Sequence, residues 1–429
     1  LVRAAQPRFS AHAASSIVAL LLITVQVASK IARDTLFMSQ STARELSVAM
    51  VCSGALSVAC AFYASARGRA AKPGASLAVT LSLSASCFLL EGLLVPHAPK
   101  AAACIAFGHI GALGPLAVSY LWMGFAERFR GRAAEGAFVS ISSAATLGGV
   151  FGGVLAERVT RTFSMPTLLF GLAALSLALA AWGLVAARHQ PQEPALGSAV
   201  PPPPLRNELT AILSDTFLRR TATLLAFTAI GTCFADYLMK ASFAGGDAKA
   251  NDLVIFFSLF HTFTGVLTFL VQATVGPRLV ARIGVSGALA LVPTVFVSFA
   301  GFGMVLWRMS TAVLLRGTDA VLSNSVFRST YELLYTAVPT ETRRSAKPLI
   351  DIVSLRAGDL MGSALVAAVV NLIPALTSPV LLTAGALIGA MSIYLAQRIG
   401  GEYRSRMDAS HGEHDRRRGS FLTCRTEPA

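Results

Sequence analysis

The sequence predicts an all-α membrane protein of about twelve transmembrane helices, arranged as two six-helix halves. Three observations carry that prediction. First, 54% of the 429 residues are hydrophobic, 14% are charged and the mean hydropathy is +0.63, more apolar sequence than a soluble core uses. Second, apolar stretches of roughly 20 residues, each long enough to cross a ~30 Å hydrocarbon layer, recur along most of the chain. Third, Lys and Arg collect in alternate connections. Loops after even-numbered stretches carry Arg67, Arg69 and Lys72; Arg128, Arg130 and Arg132; Arg188, Arg206, Arg219 and Arg220; Arg278 and Arg282; and Arg343, Arg344 and Lys347. The other loops hold only Arg44, Lys100, Arg158, Arg161, Lys249 and Arg308. Cytoplasmic loops carry the excess of such cations, so both termini are expected on the cytoplasmic side. The net charge of +14 therefore reports topology and implies no nucleic-acid partner.

The first span, near residues 14–38, is too long for a signal-peptide core and lacks a small-residue cleavage site after it, so it is expected to be retained. Spans two to four, near 44–64, 75–95 and 101–126, contain Cys52, Cys60, Cys87 and Cys104. Without CxxC spacing these read as packing thiols, as does Cys233, and neither a metal site nor a disulfide framework is expected. The fifth span, near 134–156, carries Gly148, Gly149, Gly152 and Gly153, small residues that let a neighbouring helix approach. The sixth, near 165–187, closes an N-terminal half of residues 1–187. Residues 188–218 read as a cytoplasmic linker, with polyproline character at Pro201–Pro204. The C-terminal half, 219–397, contains spans near 219–242, 252–275, 284–306, 309–335, 346–372 and 375–397. It echoes the first: Asp34-Thr35-Leu36 recurs as Asp236-Tyr237-Leu238, and Gly358 and Gly362 match the glycines of the fifth span. Residues 398–429 are polar, with Arg416–Arg418, and are expected to form a disordered basic cytoplasmic tail.

Charges inside spans are costly and mark ligand or ion pathways. Helical spacing pairs Lys30 with Asp34, Asp236 with Lys240, Arg316 with Asp319, Arg328 with Glu332, and Arg356 with Asp359. Arg33 has no acid at those spacings, while Glu91 and Asp351 have no base. Three outcomes are open for Arg33: a partner across helices in Glu91 or Asp351, a reach toward the outer interface, or an anion held bidentately by the guanidinium. His109 and His261 are expected either to be satisfied by a neighbour or to relay protons. There is no Ser/His/Asp grouping at usable spacing, no HExxH and no GxxxxGK[ST], so neither an enzyme nor an ATP-driven motor is expected.

The run from Tyr331 to Leu365, YELLYTAVPTETRRSAKPLIDIVSLRAGDLMGSAL, resembles a segment of the ATP/ADP translocases of plastids and intracellular bacteria and of their free-living bacterial relatives, distant kin of the major facilitator superfamily. An acid-containing helix end, a proline turn, a basic loop and an "AxIDV" helix follow in that family's order as Glu332, Pro339, Arg343, Arg344, Lys347, Ile350 and Asp351. Lys30, Arg33 and Asp34 stand where the family has two cations three apart and then an Asp. Asp236 and Lys240 fit its acid and lysine four apart, and the region from Trp122 to Gly153 matches more loosely. The stretch from Gly108 to Leu116 lacks the Glu of the nucleotide-exchanging members, and Asp359 replaces a Lys, which brings the chain nearer the free-living bacterial branch.

The resemblance implies a major-facilitator-like fold in a bacterial inner membrane and a secondary transporter working by alternating access without a cofactor. Its partners would be the lipid bilayer and a small-molecule substrate, an organic anion, with nucleotides among the candidates. The implied substrate-binding set is Lys30, Arg33, Asp34, Asp236, Lys240, Arg316, Lys347 and Asp351. Lys30 and Arg33 would contact the anion, Asp236 and Lys240 would form a gate pair that opens when substrate competes for Lys240, and Lys347 would stand at the cytoplasmic entrance. Two alternatives stay open: a proton-driven carrier of a neutral or cationic solute with Asp34, Asp236 or Asp351 as proton carrier, and a membrane sensor or scaffold that moves nothing.

Overall fold

The computed structural model describes residues 6–68, 72–129, 132–189, 210, 212–243, 249–305 and 309–423. Most of the expected linker, including Pro201–Pro204, lies outside the described residues. Among those described there is helix and no strand. The helices are α1 (Gln6–Met38), α2 (Ala43–Gly68), α3 (Pro73–Leu94), α4 (Pro99–Arg128), α5 (Arg132–Thr162), α6 (Met165–His189), α7 (Thr216–Ala241), α8 (Ala250–Leu270), α9 (Gly276–Val305), α10 (Met309–Leu322), α11 (Arg328–Leu334), α12 (Thr340–Leu372) and α13 (Thr377–Thr423). By length and composition 10 of the helical segments can cross a membrane. Helix α5 and the run α10–α11 occupy the places of the fifth and tenth expected spans.

Local chemistry sets several helix ends. Pro73 and Pro99 open α3 and α4, where an absent N–H leaves no bond unmade. Thr42 and Glu45 form a reciprocal box at the start of α2, with Thr42 N donating to Glu45 Oε2 at 2.8 Å and Glu45 N to Thr42 Oγ1 at 3.3 Å. Asp215 caps α7 by accepting from Phe217 N at 2.8 Å. Breaks inside spans are equally local. A π-helical turn, Val271–Val275, extends α8, another, Ser323–Phe327, separates α10 from α11, and Gly284 kinks α9 at φ 72°.

The same pairings occur before and after residues 190–209. Helix α1 packs on α5 as α7 packs on α12, and α3 on α6 as α9 on α13. Contacts between the two sets run through α2 with α12 and α5 with α8. The glycines that echo each other in sequence make the first of these pairings. A Cβ on Gly148 would lie 2.3 Å from the Leu20 carbonyl oxygen and one on Gly152 2.7 Å from that of Thr24, so α5 meets the α1 backbone directly. Gly358 stands in the same relation to Ala226 O at 2.5 Å, and Gly362 to Cys233 Cβ at 2.9 Å. Close backbone approach of this kind is how apolar helices hold together where lipid supplies no hydrophobic drive.

The segment expected to be a disordered tail from residue 398 departs from that reading. Helix α13 continues to Thr423. Ile399 is buried, Gly400 seats against Ser286, Glu402 pairs with Arg220, and Arg406 reaches the α7 cap Asp215 at 2.8 Å while lying 4.7 Å over the Phe217 ring. Two of the charges in this stretch, Glu402 and Arg406, are partners for α7 and its cap.

Candidate functional site: a charged cluster between the two sets of helices

The echoing motifs of α1 and α7 meet. Arg33 Nε donates to Asp34 Oδ1 at 2.8 Å. The other oxygen of Asp34, Oδ2, lies 3.1 Å from Lys240 Nζ, which also donates to Asp236 Oδ2 at 2.6 Å. Asp236 Oδ1 accepts from Arg316 Nε at 3.1 Å, and Arg316 reaches Asp319 Oδ2 at 3.3 Å. Asp319 Oδ1 in turn accepts from Thr232 at 3.2 Å and Ser323, in the π-helical turn, at 3.3 Å. The result is a continuous alternation of cation and carboxylate from α1 through α7 to α10. Burial of ions is tolerable only with such pairing, and Asp34 and Lys240 are almost fully enclosed at 3% and 2% exposure. The Phe107 ring of α4 lies against both cations, 4.8 Å from Arg33 Cζ and 6.0 Å from Lys240 Nζ.

Two of the sequence pairings change places here. Lys30 does not meet Asp34, and Arg33, expected to lack a local acid, does. The adjacent guanidinium lies on one oxygen of Asp34 and Lys240, from the other set of helices, on the second, while Lys30 reaches neither. Helical i,i+4 spacing cannot anticipate a competitor from 206 residues away. Lys30 makes no ion pair or hydrogen bond with any described residue, and it is exposed although it lies deep in α1. It is within electrostatic reach of Arg33, Asp34, Asp236 and Arg316, and of Asp359 on α12, where Arg356 pairs with Asp359 at 3.0 Å. An exposed side chain facing charges from α7, α10 and α12 lines an open space between the helices. His261 of α8 is in reach of the same charges and makes no side-chain hydrogen bond with a described residue.

Lys240–Asp34 joins the two sets of helices, and so do Arg44 Nε, donating to Asn371 Oδ1 at 2.6 Å, and Tyr237 OH, donating to the Ala43 carbonyl at 3.4 Å. All three cluster toward the end of the molecule where α1 turns into α2.

Lys347 and Asp351 stand apart. Lys347 Nζ is 3.0 Å from Asp351 Oδ2 and 3.3 Å from Glu332 Oε2, and Tyr331 donates to Asp351. Asp351 thus has a base, contrary to the expectation that it lacked one. It lies eight residues before Asp359, about 12 Å along α12. Arg328 meets Glu332 at 3.4 Å as its spacing predicts. Glu91 is not free for Arg33 either: Glu91 Oε1 lies 2.7 Å from His109 Nδ1, and His109 Nε2 lies 2.7 Å from Ser84 Oγ. A Ser/His/Glu line therefore exists where no such grouping was expected, because α3 and α4 bring together residues 18 and 25 positions apart. Its members are buried, with Phe88 packed edge-on to the imidazole at 4.7 Å. Phe107, Asp319 and the Arg356–Asp359 pair stand outside the expected substrate-binding set; the two acids were legible as in-span charges with a base three residues before them, whereas for Phe107 no local signal exists.

No family model and no curated relative matches the chain, so the likeness to ATP/ADP translocases stands on the residues alone. Solved structures do match. The nucleoside transporter NupG is similar at 13% identity and TM-score 0.60, with 90% of this chain and 98% of that one covered. A D-xylose-proton symporter is similar at 14% identity and TM-score 0.53, covering 91% and 97%. A POT family transporter in complex with 5-aminolevulinic acid is similar at 10% identity and TM-score 0.56, covering 90% and 96%. At such identities the likeness speaks for the fold: this is an all-α, multi-pass membrane protein of major-facilitator-like architecture.

Proposed function

We propose that the protein is a secondary transporter of a small organic anion, working by alternating access of residues 1–187 against 219–397. The observation that carries the reading is Lys30. An intramembrane cation costs several kcal/mol unless something compensates it, and this one is exposed between the helices with no ion-pair or hydrogen-bond partner among the described residues. A ligand anion is the natural complement. Arg33 and Arg316, each partly accessible beside it, widen the cationic wall. An anion arriving at Lys30 also competes for Lys240, and Lys240 holds Asp34 of the opposite half. Binding can then favour one arrangement of the halves over another through a direct difference in contacts, which is what coupling of binding to movement requires.

The names of the similar structures describe what those proteins carry; they support transport as the class. The residues resembling ATP/ADP translocases keep nucleotides within the anions to be tested, and the basic alternate loops support an inner membrane with both termini cytoplasmic. The test is uptake into proteoliposomes guided by a thermal-shift screen of nucleotides, phosphorylated metabolites and carboxylates. Lys30→Gln is expected to abolish uptake of the hit while the protein still folds; undiminished uptake would overturn the assignment. Uptake that collapses with an uncoupler and is not competed by anions would favour the proton-driven alternative instead.

A further inference from the structure

We infer that the substrate carries a single negative charge, so that the loaded site is electrically neutral; this rests on the transport reading above. The central cluster contains five bases, Lys30, Arg33, Lys240, Arg316 and Arg356, against four acids, Asp34, Asp236, Asp319 and Asp359, with His261 counted neutral. The excess is one positive charge. That count does not depend on which pairs are made. A ligand can displace Asp34 from Lys240 or Asp236 from Arg316, but every cation it gains strands a carboxylate, and the sum is unchanged.

The next charged groups do not alter the balance. Arg328, Glu332, Lys347 and Asp351 compensate one another further along α11 and α12. At the end where α1 turns into α2, Glu45 is matched by Lys100, and the exposed Arg44, held by the neutral Asn371, is screened by solvent; Glu91 is paired with His109 within α3 and α4. A multiply charged anion would therefore leave negative charge uncompensated in a poorly solvated site, and an uncharged solute would leave Lys30 as it is. Only a singly charged anion removes both penalties.

The test is a charge ladder on fixed scaffolds, measured with the detergent-purified full chain by thermal shift and competition. At about pH 7, where a phosphate monoester, with its second pKa at about 6, is mostly doubly ionised, the probes are adenosine, cyclic AMP, AMP, ADP and ATP, and separately butyrate, succinate and tricarballylate. The singly charged cyclic AMP or butyrate is expected to bind about tenfold or more tightly than its doubly charged counterpart. Asp359→Asn raises the excess by one and should move the optimum to the doubly charged member. Lys30→Gln and, independently, Arg356→Gln lower it by one and should move the optimum to the uncharged member. Unliganded melting temperatures and gel-filtration profiles close to wild type establish that each variant is folded. Tighter binding of AMP, ADP, ATP or succinate than of the singly charged probe by the wild type would overturn this inference and leave anion transport standing. No binding by any anion would overturn both.

Discussion

Replacing Lys240 with methionine tests whether the alternating cluster is held by mutual pairing. The ammonium is 2% exposed and lies 2.6 Å from Asp236 and 3.1 Å from Asp34, so Lys240→Met removes one cation from between two carboxylates. Breaking a buried pair by deleting one partner costs about 3–5 kcal/mol, because the remaining charge keeps its desolvation penalty. Here Asp34 retains Arg33 and Asp236 retains Arg316, which places the loss near the lower end, about 3 kcal/mol. The exposed pair Arg328–Glu332, at 63% and 43% side-chain exposure, supplies the comparison. Arg328→Ala should cost about 1 kcal/mol at most, since solvent screens it. Adding Asp236→Asn to Lys240→Met removes the acid that Lys240→Met leaves in excess and should recover about 1–2 kcal/mol, a non-additivity expected only of neighbours. Denaturant unfolding in detergent, followed by circular dichroism, gives all of these differences. Should Lys240→Met lose no more than Arg328→Ala, or the double variant simply sum the two single losses, the cluster is not coupled as its distances imply.

Three further outcomes follow from other contacts. Gly148→Val places side-chain atoms where a Cβ already falls 2.3 Å from the Leu20 carbonyl, so stability should drop by about 1–3 kcal/mol or α5 should separate from α1; Gly171→Ala, with nothing within 4 Å, should be neutral or slightly stabilising, as melting curves of the two will show. His109→Leu strands the fully buried Glu91 carboxylate and should cost about 3 kcal/mol or more, much of it regained in His109→Leu/Glu91→Leu; equal stability of the two would show that Glu91 does not depend on His109. Cysteines in place of Arg44 and Asn371, whose side-chain tips now meet at 2.6 Å, should be bridged by a short bifunctional methanethiosulfonate and stop uptake until reductant is added. Uptake that continues in the cross-linked protein would show that this end need not open.

Much of the architecture was readable because membrane spans obey a one-dimensional rule: an apolar length sufficient for the bilayer, bounded by charge. The glycines of α5 and α12 were readable for a similar reason, since their spacing along one helix is itself the packing surface. Ion pairs within a helix were partly readable. Asp236–Lys240, Arg316–Asp319 and Arg356–Asp359 form as their spacing implies. Lys30–Asp34 does not, and the length of α13 was misjudged, in both cases because a residue distant in sequence supplies a partner. Ser84, His109 and Glu91 show the same limit, since their alignment exists only once α3 lies beside α4.

By itself the sequence determined the all-α membrane fold class, the closely packed glycine faces and the fact that charges sit inside apolar helices, all properties set by local length, spacing and polarity. The tertiary structure decided which charge is left over. Asp34 has two cations near it along its own helix, Lys30 and Arg33, but only the meeting of α1 with α7 brings Lys240 to its second oxygen. With Arg33 on one oxygen of Asp34 and Lys240 on the other, Lys30, rather than Arg33, is the cation left without an ion pair among the described residues, exposed among the charges of α7, α10 and α12.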